Sequence, residues 1–320
     1  QWLVECLLKL PADHPLFDLL VIDEISKLRS TKGKRTKAMR SVGPRFNIKW
    51  GLTGTPRPKS LLNLFAPMRL LTSGKLWGNN FDTWKRKHFY PVDFNGYDWK
   101  PLPGAEAQLM ADAARYSLTL AEGDMPELPP LNIIPEFVEL PDPVRKEYRR
   151  MARELFARTD AKNILAATQA AAKGKLAQIA NGFLYADDGN ADVTRLHDEK
   201  RDWIAELVEE LDGEPLLVVY EFVEDLRMLR DLFGADLPYL GDGVSDKNAT
   251  RWIEAWNRRE LPLFAMHPAS GGHGLNIQFG GSREAWISPC WDAELWEQTL
   301  FRLYRPGQTA ESVSVHVCMA

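Results

Sequence analysis

Residues 263–308 constrain the fold most, because four differently patterned segments follow one another there. Apolar runs at 263–266 and 285–288 predict two strands. A glycine-rich loop lies between them, and a helix is expected from about Asp292 to the stop signal Pro306-Gly307. Strands that alternate with helices predict a parallel, doubly wound α/β sheet.

The expected helix carries Gln298, Arg302 and Arg305 at spacings of four and three. This spacing places the three side chains on one helix face. Two guanidinium groups on one face suit a polyphosphate, whose charge is spread over several oxygens. The alternative is a solvated basic patch on a surface helix.

A second apolar run, from Phe17 to Glu24, ends in the two carboxylates Asp23 and Glu24, called here the acidic pair. We expect a buried parallel strand, and open α/β sheets bind ligands at the carboxyl ends of such strands. Asp23 would hold Mg²⁺ through water, and Glu24 would polarise an attacking water. The alternative is a strand end that happens to carry acids.

The run from Phe46 to Pro56 predicts a further strand that ends in Leu-Thr-Gly-Thr-Pro. Residues 53–55, called here the threonine turn, should lie near the acidic pair, although the same letters also make a good turn. Between these strands, Gly33-Lys34 resembles part of a phosphate loop. Arg35 follows the lysine where such a loop needs Ser or Thr, so the stretch is not interpreted as a phosphate loop.

Three segments near the end carry a family resemblance when taken together. Residues 298–308 (QTLFRLYRPGQ) resemble the last helicase motif of the Swi/Snf-type DNA translocases, a branch of the superfamily-two helicases. Residues 269–278 (ASGGHGLNIQ) resemble the motif before it, and residues 286–298 resemble the segment between, with Ala293 where Pro is usual. The acidic pair and the threonine turn resemble two earlier motifs, with Ser26 in place of the usual His.

The resemblance implies a P-loop NTPase helicase core of two RecA-like parallel-sheet domains that uses ATP and Mg²⁺ and moves on DNA. It implies catalytic roles for Glu24, Arg302 and Arg305, with Arg305 the first choice for the arginine finger. The residues implied in nucleotide binding are Asp23, Glu24, Gly272, Gly274, Gln298, Arg302 and Arg305. Those implied in DNA contact or in coupling are Ser26, Thr53, Gly54, Thr55, Ser270, Gly271 and Asn276.

We expect residues 1–130 to form the later part of the first domain and residues 131–320 to form the second, each with a helical insertion. No Gly-x-Gly-Lys-Thr loop occurs in the 320 residues. The resemblance therefore suggests an amino-terminally truncated fragment. Because a triphosphate needs its amide cradle and lysine, we expect these residues alone to turn over no ATP.

Composition sets broader limits. The chain is 45% hydrophobic and 26% charged, as globular proteins are, and its three cysteines favour a reducing cytoplasm. We expect a bacterial or phage-infected cell, or the nucleus if the host is eukaryotic. A net charge of −4 still permits a local basic groove. The aromatic and basic run at 84–90 either packs within its own domain or binds nucleic acid.

Two alternatives remain open at the level of the sequence. The first is an RNA helicase of the same superfamily, although Gly274-Leu275-Asn276 and the Pro-Gly-Gln ending favour the Swi/Snf branch. The second is a nucleic-acid-binding or scaffold module without catalytic activity, which keeps the fold and lacks the phosphate loop.

Overall fold

The computed structural model describes residues 2–11, 17–54, 60–93, 98–120, 127–160, 166–186, 192–271 and 275–320. The chain divides into two compact units, Gln1–Met125 and Pro126–Ala320. The division lies at the start of a proline-rich stretch, Pro126 to Pro130. Each unit is described separately below.

The first unit combines short helices with two small sheets. Its helices are α1 (Trp2–Lys9), α2 (Lys34–Val42), α3 (Phe65–Leu71), α4 (Phe81–His88) and α5 (Ala105–Ala114). Its strands are β1 (Leu19–Ile22), β2 (Ile48–Gly51), β3 (Phe89–Pro91) and β4 (Trp99–Pro101). β1 and β2 pair in parallel, whereas β3 and β4 form an antiparallel hairpin.

The β1–β2 sheet is parallel as predicted, but it is not buried on both faces. Leu19 and Val21 of β1 are 39% and 47% exposed, and Ile48 and Trp50 of β2 are 49% and 58% exposed. The pairing Leu19 with Ile48 and Val21 with Trp50 places these four side chains on one face. The expectation of a buried first strand is therefore wrong for this face.

The aromatic run at 84–90 packs inside the first unit. Trp84 and Phe89 are each 3% exposed and form a cluster with Phe65 and Leu109. Lys85 lies over the Trp99 ring, 3.9 Å from its centroid. The buried aromatic side chains of this run therefore serve to pack the first unit. The exposed side chains of the run do not take part in this packing.

The second unit is built on a six-stranded sheet. The strands of this unit are β5 (Leu131–Phe137), β6 (Phe183–Tyr185), β7 (Val193–Arg195), β8 (Leu216–Val219), β9 (Tyr239–Leu240), β10 (Leu263–Met266), β11 (Arg283–Trp286) and β12 (Val313–Met319). β6 and β7 form a separate antiparallel pair, and the other six form the large sheet. Its helices are α6 (Asp142–Asp160), α7 (Ala166–Ala180), α8 (Glu199–Glu210), α9 (Val223–Phe233), α10 (Asp246–Asn257), α11 (Pro268–Gly271) and α12 (Ala293–Leu303).

The large sheet has the order β5-β12-β11-β8-β10-β9, and all its pairings are parallel. Helices α8 and α9 pack on one face, and α10 and α12 pack on the other. β8 and β10 are buried along their whole length, as central strands of a doubly wound sheet must be. The predicted α/β class is confirmed.

One sequence prediction differs in detail from the structure: the strand predicted at 285–288 spans Arg283–Trp286. Residues 183–185 pair as a strand with 193–195. Gly182, with φ of 95°, turns the chain between α7 and that strand. The predicted polar loop at 187–192 lies mostly outside the described residues.

Within the described ranges, no helix has both the length and the apolar character needed to cross a bilayer.

Candidate nucleotide and nucleic-acid sites

The acidic pair and the threonine turn begin at the same edge of the β1–β2 sheet. The Leu52 amide donates to the Ile22 carbonyl at 2.9 Å, and the Ile25 amide donates to the Leu52 carbonyl at 2.9 Å. These bonds continue the parallel pairing past the last strand residues. The structure therefore brings Asp23, Glu24, Ser26, Thr53 and Gly54 together, whereas Thr55 lies outside the described residues.

Glu24 has an unusual backbone conformation. Its φ of 49° and ψ of 53° lie in the left-handed region, which costs a non-glycine residue about 1 kcal/mol or more. The Asp23 carboxylate accepts the Glu24 amide at 2.9 Å and so stabilises this turn. The Ser26 hydroxyl donates to the Glu24 carboxylate at 3.4 Å. Ser26 therefore contacts the proposed catalytic acid directly.

Gly51 permits a close approach beneath the acidic pair. A Cβ atom at Gly51 would lie 2.5 Å from Cδ1 of Ile25, which is too close for any real contact. Ile25 is 5% exposed and packs with Leu28 and Leu70. The missing side chain of Gly51 thus lets the turn that follows the acidic pair fold back onto β2.

In the second unit, helix α12 places two of the three predicted phosphate-binding side chains. Asp292 caps the helix, because its carboxylate accepts the Glu294 amide at 3.0 Å. Gln298 and Arg302 follow on one face, one turn apart. The Gln298 amide donates to the Glu294 carboxylate at 3.5 Å. Both Gln298 and Arg302 are partly buried.

The prediction that Arg305 shares this helical face is wrong, since α12 ends at Leu303. Pro306 has no amide hydrogen and disfavours helical geometry in the residue before it, so the helix cannot continue. Arg305 instead reaches back and donates to the Leu275 carbonyl at 3.1 Å. This bond fixes Arg305 to the segment that follows the glycine-rich loop. A guanidinium has five N–H groups, so one such bond leaves donors for a phosphate.

The glycine-rich motif is described on both sides of its centre. Ser270 and Gly271 end the short helix α11, where the Ser270 amide donates to the His267 carbonyl at 2.9 Å. Asn276 accepts a 2.7 Å bond from the Asn257 side chain through its carbonyl. Helix α11 packs against α12, so Ser270 and Gly271 lie near the helix that carries Arg302. Gly272 and Gly274 lie outside the described residues.

Gln308, the last residue of the resemblance, has a structural role. Its side-chain amide donates to the carbonyls of Gly281 and Leu303 at 3.0 and 3.2 Å. Its side-chain oxygen accepts the amides of Thr309 and Ala310. Gln308 thereby caps the end of α12 and joins it to the loop before β11.

Sequence reasoning missed a buried polar network at the carboxyl edge of the large sheet. Lys200 is 1% exposed and donates to the Ile287 carbonyl at 2.6 Å and the Asn181 side chain at 2.9 Å. Asn181 in turn donates to Asp225 at 2.9 Å. Burial lowers the pKa of Lys200 and raises that of Asp225. A lysine in an amphipathic helix gives no sequence signal of burial, so this network could not be foreseen.

The acidic pair suits a magnesium ion bound through water. In the parts of the chain that the structure describes, no three His, Cys, Asp or Glu residues are grouped to hold a metal directly. Magnesium keeps several of its waters and needs only one or two carboxylates, and Asp23 can supply one. The acids belong to the first unit and the arginines to the second.

Comparisons with known proteins give two relatives that each match most of this chain. The chain is 33% identical over 327 residues to "Putative protein p41" of Acyrthosiphon pisum secondary endosymbiont phage 1, covering 98% of this chain and 67% of that protein. It is 21% identical over 304 residues to "Putative ATP-dependent helicase/translocase YwqA" of Bacillus subtilis, covering 91% of this chain and 32% of that protein. The chain thus spans about two thirds of the first relative and one third of the second. No family model matches it.

Similar solved structures include the SWI2/SNF2 ATPase core of Sulfolobus solfataricus in complex with dsDNA. That core is 22% identical, with a TM-score of 0.46, over 99% of this chain and 66% of that one. The C-terminal part of the Fun30 ATPase domain is 17% identical, with a TM-score of 0.43, over 60% of this chain and 86% of that one. The first of the two relatives decides the assignment: the chain belongs to the family of the phage protein p41.

Proposed function

We propose that the protein takes part in ATP-dependent translocation on DNA, or in its unwinding, as a Swi/Snf-type motor. The observation that carries this proposal is the backbone pairing that sets the acidic pair beside the threonine turn. An acid that activates water and hydroxyls that sense the nucleotide must be neighbours if hydrolysis is to drive movement. Similarity to YwqA supports the helicase or translocase type of function.

Each residue has a defined task in this proposal. Asp23 would hold Mg²⁺ through water, and Glu24 would orient and polarise the water that attacks the γ-phosphate. Ser26 donates to Glu24 and keeps its carboxylate in place. Arg302 and Arg305 neutralise the charge that develops on the phosphates, with Arg305 as the finger, and Gln298 contacts the nucleotide. Gly272 and Gly274 give the loop its close approach to the nucleotide.

The motor cycle would couple two RecA-like domains, one for each unit. Closing on ATP and opening after hydrolysis would move the protein along a DNA backbone. Thr53, Gly54, Thr55, Ser270, Gly271 and Asn276 would link nucleotide state to DNA contact. Because the 320 residues hold no Gly-x-Gly-Lys-Thr loop, turnover needs that loop from outside them. Both curated relatives come from a phage or a bacterium, which supports a bacterial or phage-infected cell as the setting.

The test uses these residues within a chain that also carries a Gly-x-Gly-Lys-Thr loop. Glu24→Gln and Arg305→Ala should each lower the DNA-stimulated ATPase rate by at least about a hundredfold and leave DNA affinity unchanged. Arg258→Ala is the control, because Arg258 is exposed and paired with Glu260. Stimulation by duplex RNA instead of DNA would favour the RNA helicase. An Arg305→Ala variant with the wild-type rate would remove the finger assignment.

A further inference from the structure

Charge is divided unequally between the two units. Residues 1–125 hold 19 Lys and Arg against 12 Asp and Glu, a net charge of +7. Residues 126–320 hold 21 against 32, a net charge of −11. The overall value of −4 therefore hides a basic unit and an acidic unit. A polyanion would be attracted to the first unit and repelled by the second.

The positive charge is concentrated further within the first unit. No Asp or Glu occurs between Glu24 and Asp82, while 13 Lys and Arg do. The densest part is α2 with the loop before it. Lys34, Lys37 and Arg40 are spaced by three and lie on one exposed side of this helix. Together with the exposed Lys27 and Lys32 they are called here the α2 basic surface.

Two buried residues of α2 fix the orientation of this surface. Thr36 is 2% exposed, and its hydroxyl donates to the Leu28 carbonyl at 3.1 Å. Val42 is fully buried. With one side held against the unit, the helix can present only its cationic side to solvent. The fold therefore fixes which side of α2 faces solvent, and with it the positions of the cations on that side.

Cations of this surface lack carboxylate partners among the described residues, where no ion pair forms to Lys34, Lys37 or Arg40. Arg40 instead lies near another cation, Arg69. Burial and the charge of Arg40 together lower the pKa of Arg69. The helix also begins with Lys34 and Arg35 at its positive end and has no acid in its first turn. Like charges and an opposed helix dipole both raise the energy of this surface, and a bound polyanion would lower it.

Three exposed arginines of the second unit are arranged differently. Arg150 pairs with Glu154 at 2.6 Å, Arg227 pairs with Glu224 and Arg258 pairs with Glu260 at 2.7 Å. These cations are already neutralised by neighbours on the same surface. An exposed arginine with a carboxylate partner is therefore no sign of anion binding in this protein. The α2 basic surface differs, because its cations lack such partners among the described residues.

We propose that the α2 basic surface binds the phosphate backbone of duplex DNA and supplies most of the protein's salt-dependent affinity for it. This proposal rests on the proposed motor function and goes beyond it by assigning the main electrostatic contact to one helix. Lys34, Lys37 and Arg40 span about 9 Å along α2 at 1.5 Å per residue, a length that covers successive phosphates of one strand. The contact is independent of base sequence.

The test measures binding of the 320-residue chain to a 30-base-pair duplex without ATP, across a range of salt concentrations. One variant carries Lys34→Gln, Lys37→Gln and Arg40→Gln. The control variant carries Arg150→Gln, Arg227→Gln and Arg258→Gln, with the same change of charge on the second unit. Glutamine is a good helix former, and surface ion pairs contribute little to stability, so both variants should keep the wild-type circular dichroism and melting temperature.

The α2 variant should bind at least about tenfold more weakly at 0.1 M salt, and its salt slope should fall by up to about 2.7, or 0.9 for each lost contact. The control should keep the wild-type affinity and slope. Equal losses in both variants, or no loss in either, would overturn the assignment. So would an α2 variant that loses binding to phosphatidylserine vesicles but keeps binding to DNA. Binding is measured without nucleotide, so the outcome is separate from the ATPase test of the motor function.

Discussion

Glu284 is a carboxyl group inside the large sheet. It lies on β11 between Val315 of β12 and Leu217 of β8, and it is fully buried. Its Oε1 accepts the indole N–H of Trp286, while Oε2 has no partner among the described residues. Burial raises the pKa of Glu284 to about 7, and the Trp286 bond lowers it only in part. An apolar residue would ordinarily occupy such a position.

This pKa predicts a fall in stability with rising pH. The group binds its proton more tightly in the folded chain, so its contribution is complete below about pH 4.5 and is lost as pH rises through 7. Over that range the free energy of unfolding should fall by roughly 3 kcal/mol, at 1.4 kcal/mol per unit of pKa shift. Glu284→Gln cannot ionise and should remove this dependence.

Denaturant unfolding at pH 5, 6, 7 and 8 measures the effect as the difference between variant and wild type. The Glu284→Gln variant should gain stability over the wild type as pH rises. Glu254→Gln is the matched control, because Glu254 lies on the exposed side of α10 with 62% of its side chain accessible. If the curves for wild type and Glu284→Gln run parallel, Glu284 is not protonated in the folded protein.

At the scale of elements, Lys200 joins helix α8 to the ends of two strands. Its ammonium donates to the carbonyl of Ile287, just past β11, and contacts that of Cys318 in β12 at 3.5 Å. Ser288 and Asn181 complete the shell at 3.2 and 2.9 Å. These bonds hold in place the chain that leads from β11 towards α12, and they therefore help to position α12.

Lys200→Met should lower the free energy of unfolding by roughly 3–5 kcal/mol, because it leaves buried carbonyls and the Asp225 carboxylate without their cation. The same Lys-to-Met change at Lys247, exposed on α10, should cost under about 0.5 kcal/mol. Denaturant unfolding compares the two. Equal stabilities would mean that Lys200 is not a tie between α8 and the sheet.

The elements also show where sequence reasoning succeeds. The fully buried strand β10 was predicted at 263–266 and lies there, because a short, wholly apolar run is typical of a buried strand. The helix containing Gln298 and Arg302 was predicted, but its end at Leu303 was not, since Pro306 also disfavours helical geometry in the residue before it. The bond from Arg305 to Leu275 joins residues 30 apart and leaves no trace in either segment.

The predicted site shows the same limit. Motif letters indicated that the acidic pair and the threonine turn would be neighbours, and the β1–β2 pairing makes them so. The left-handed Glu24 and the contact of Gly51 with Ile25 depend on three-dimensional packing, which no local pattern reports. Chemistry carried by residue type was therefore predictable, whereas the orientation of each group was not.

At the scale of the whole molecule, the two units differ in how completely their sheets are enclosed. β8 and β10 lie in a six-stranded sheet with helices on both faces, and all their residues are buried. β1 and β2 form a two-stranded sheet with one apolar face exposed. Two strands with one covered face give marginal stability, whereas a sheet enclosed on both faces unfolds only with its unit.

Hydrogen exchange should therefore separate the units. Amides of β8 and β10 should exchange at least about a thousandfold more slowly than those of β1 and β2, a difference of about 4 kcal/mol in opening free energy. Mass spectrometry of peptides covering 216–219 and 263–266, against 19–22 and 48–51, measures this. A peptide from 84–89, which includes the aromatic cluster of the first unit, is the internal control. It should be more protected than β1, because Trp84 and Phe89 are buried although they belong to the same unit. Equal protection of β1 and β8 would show that the exposed apolar face is covered in solution.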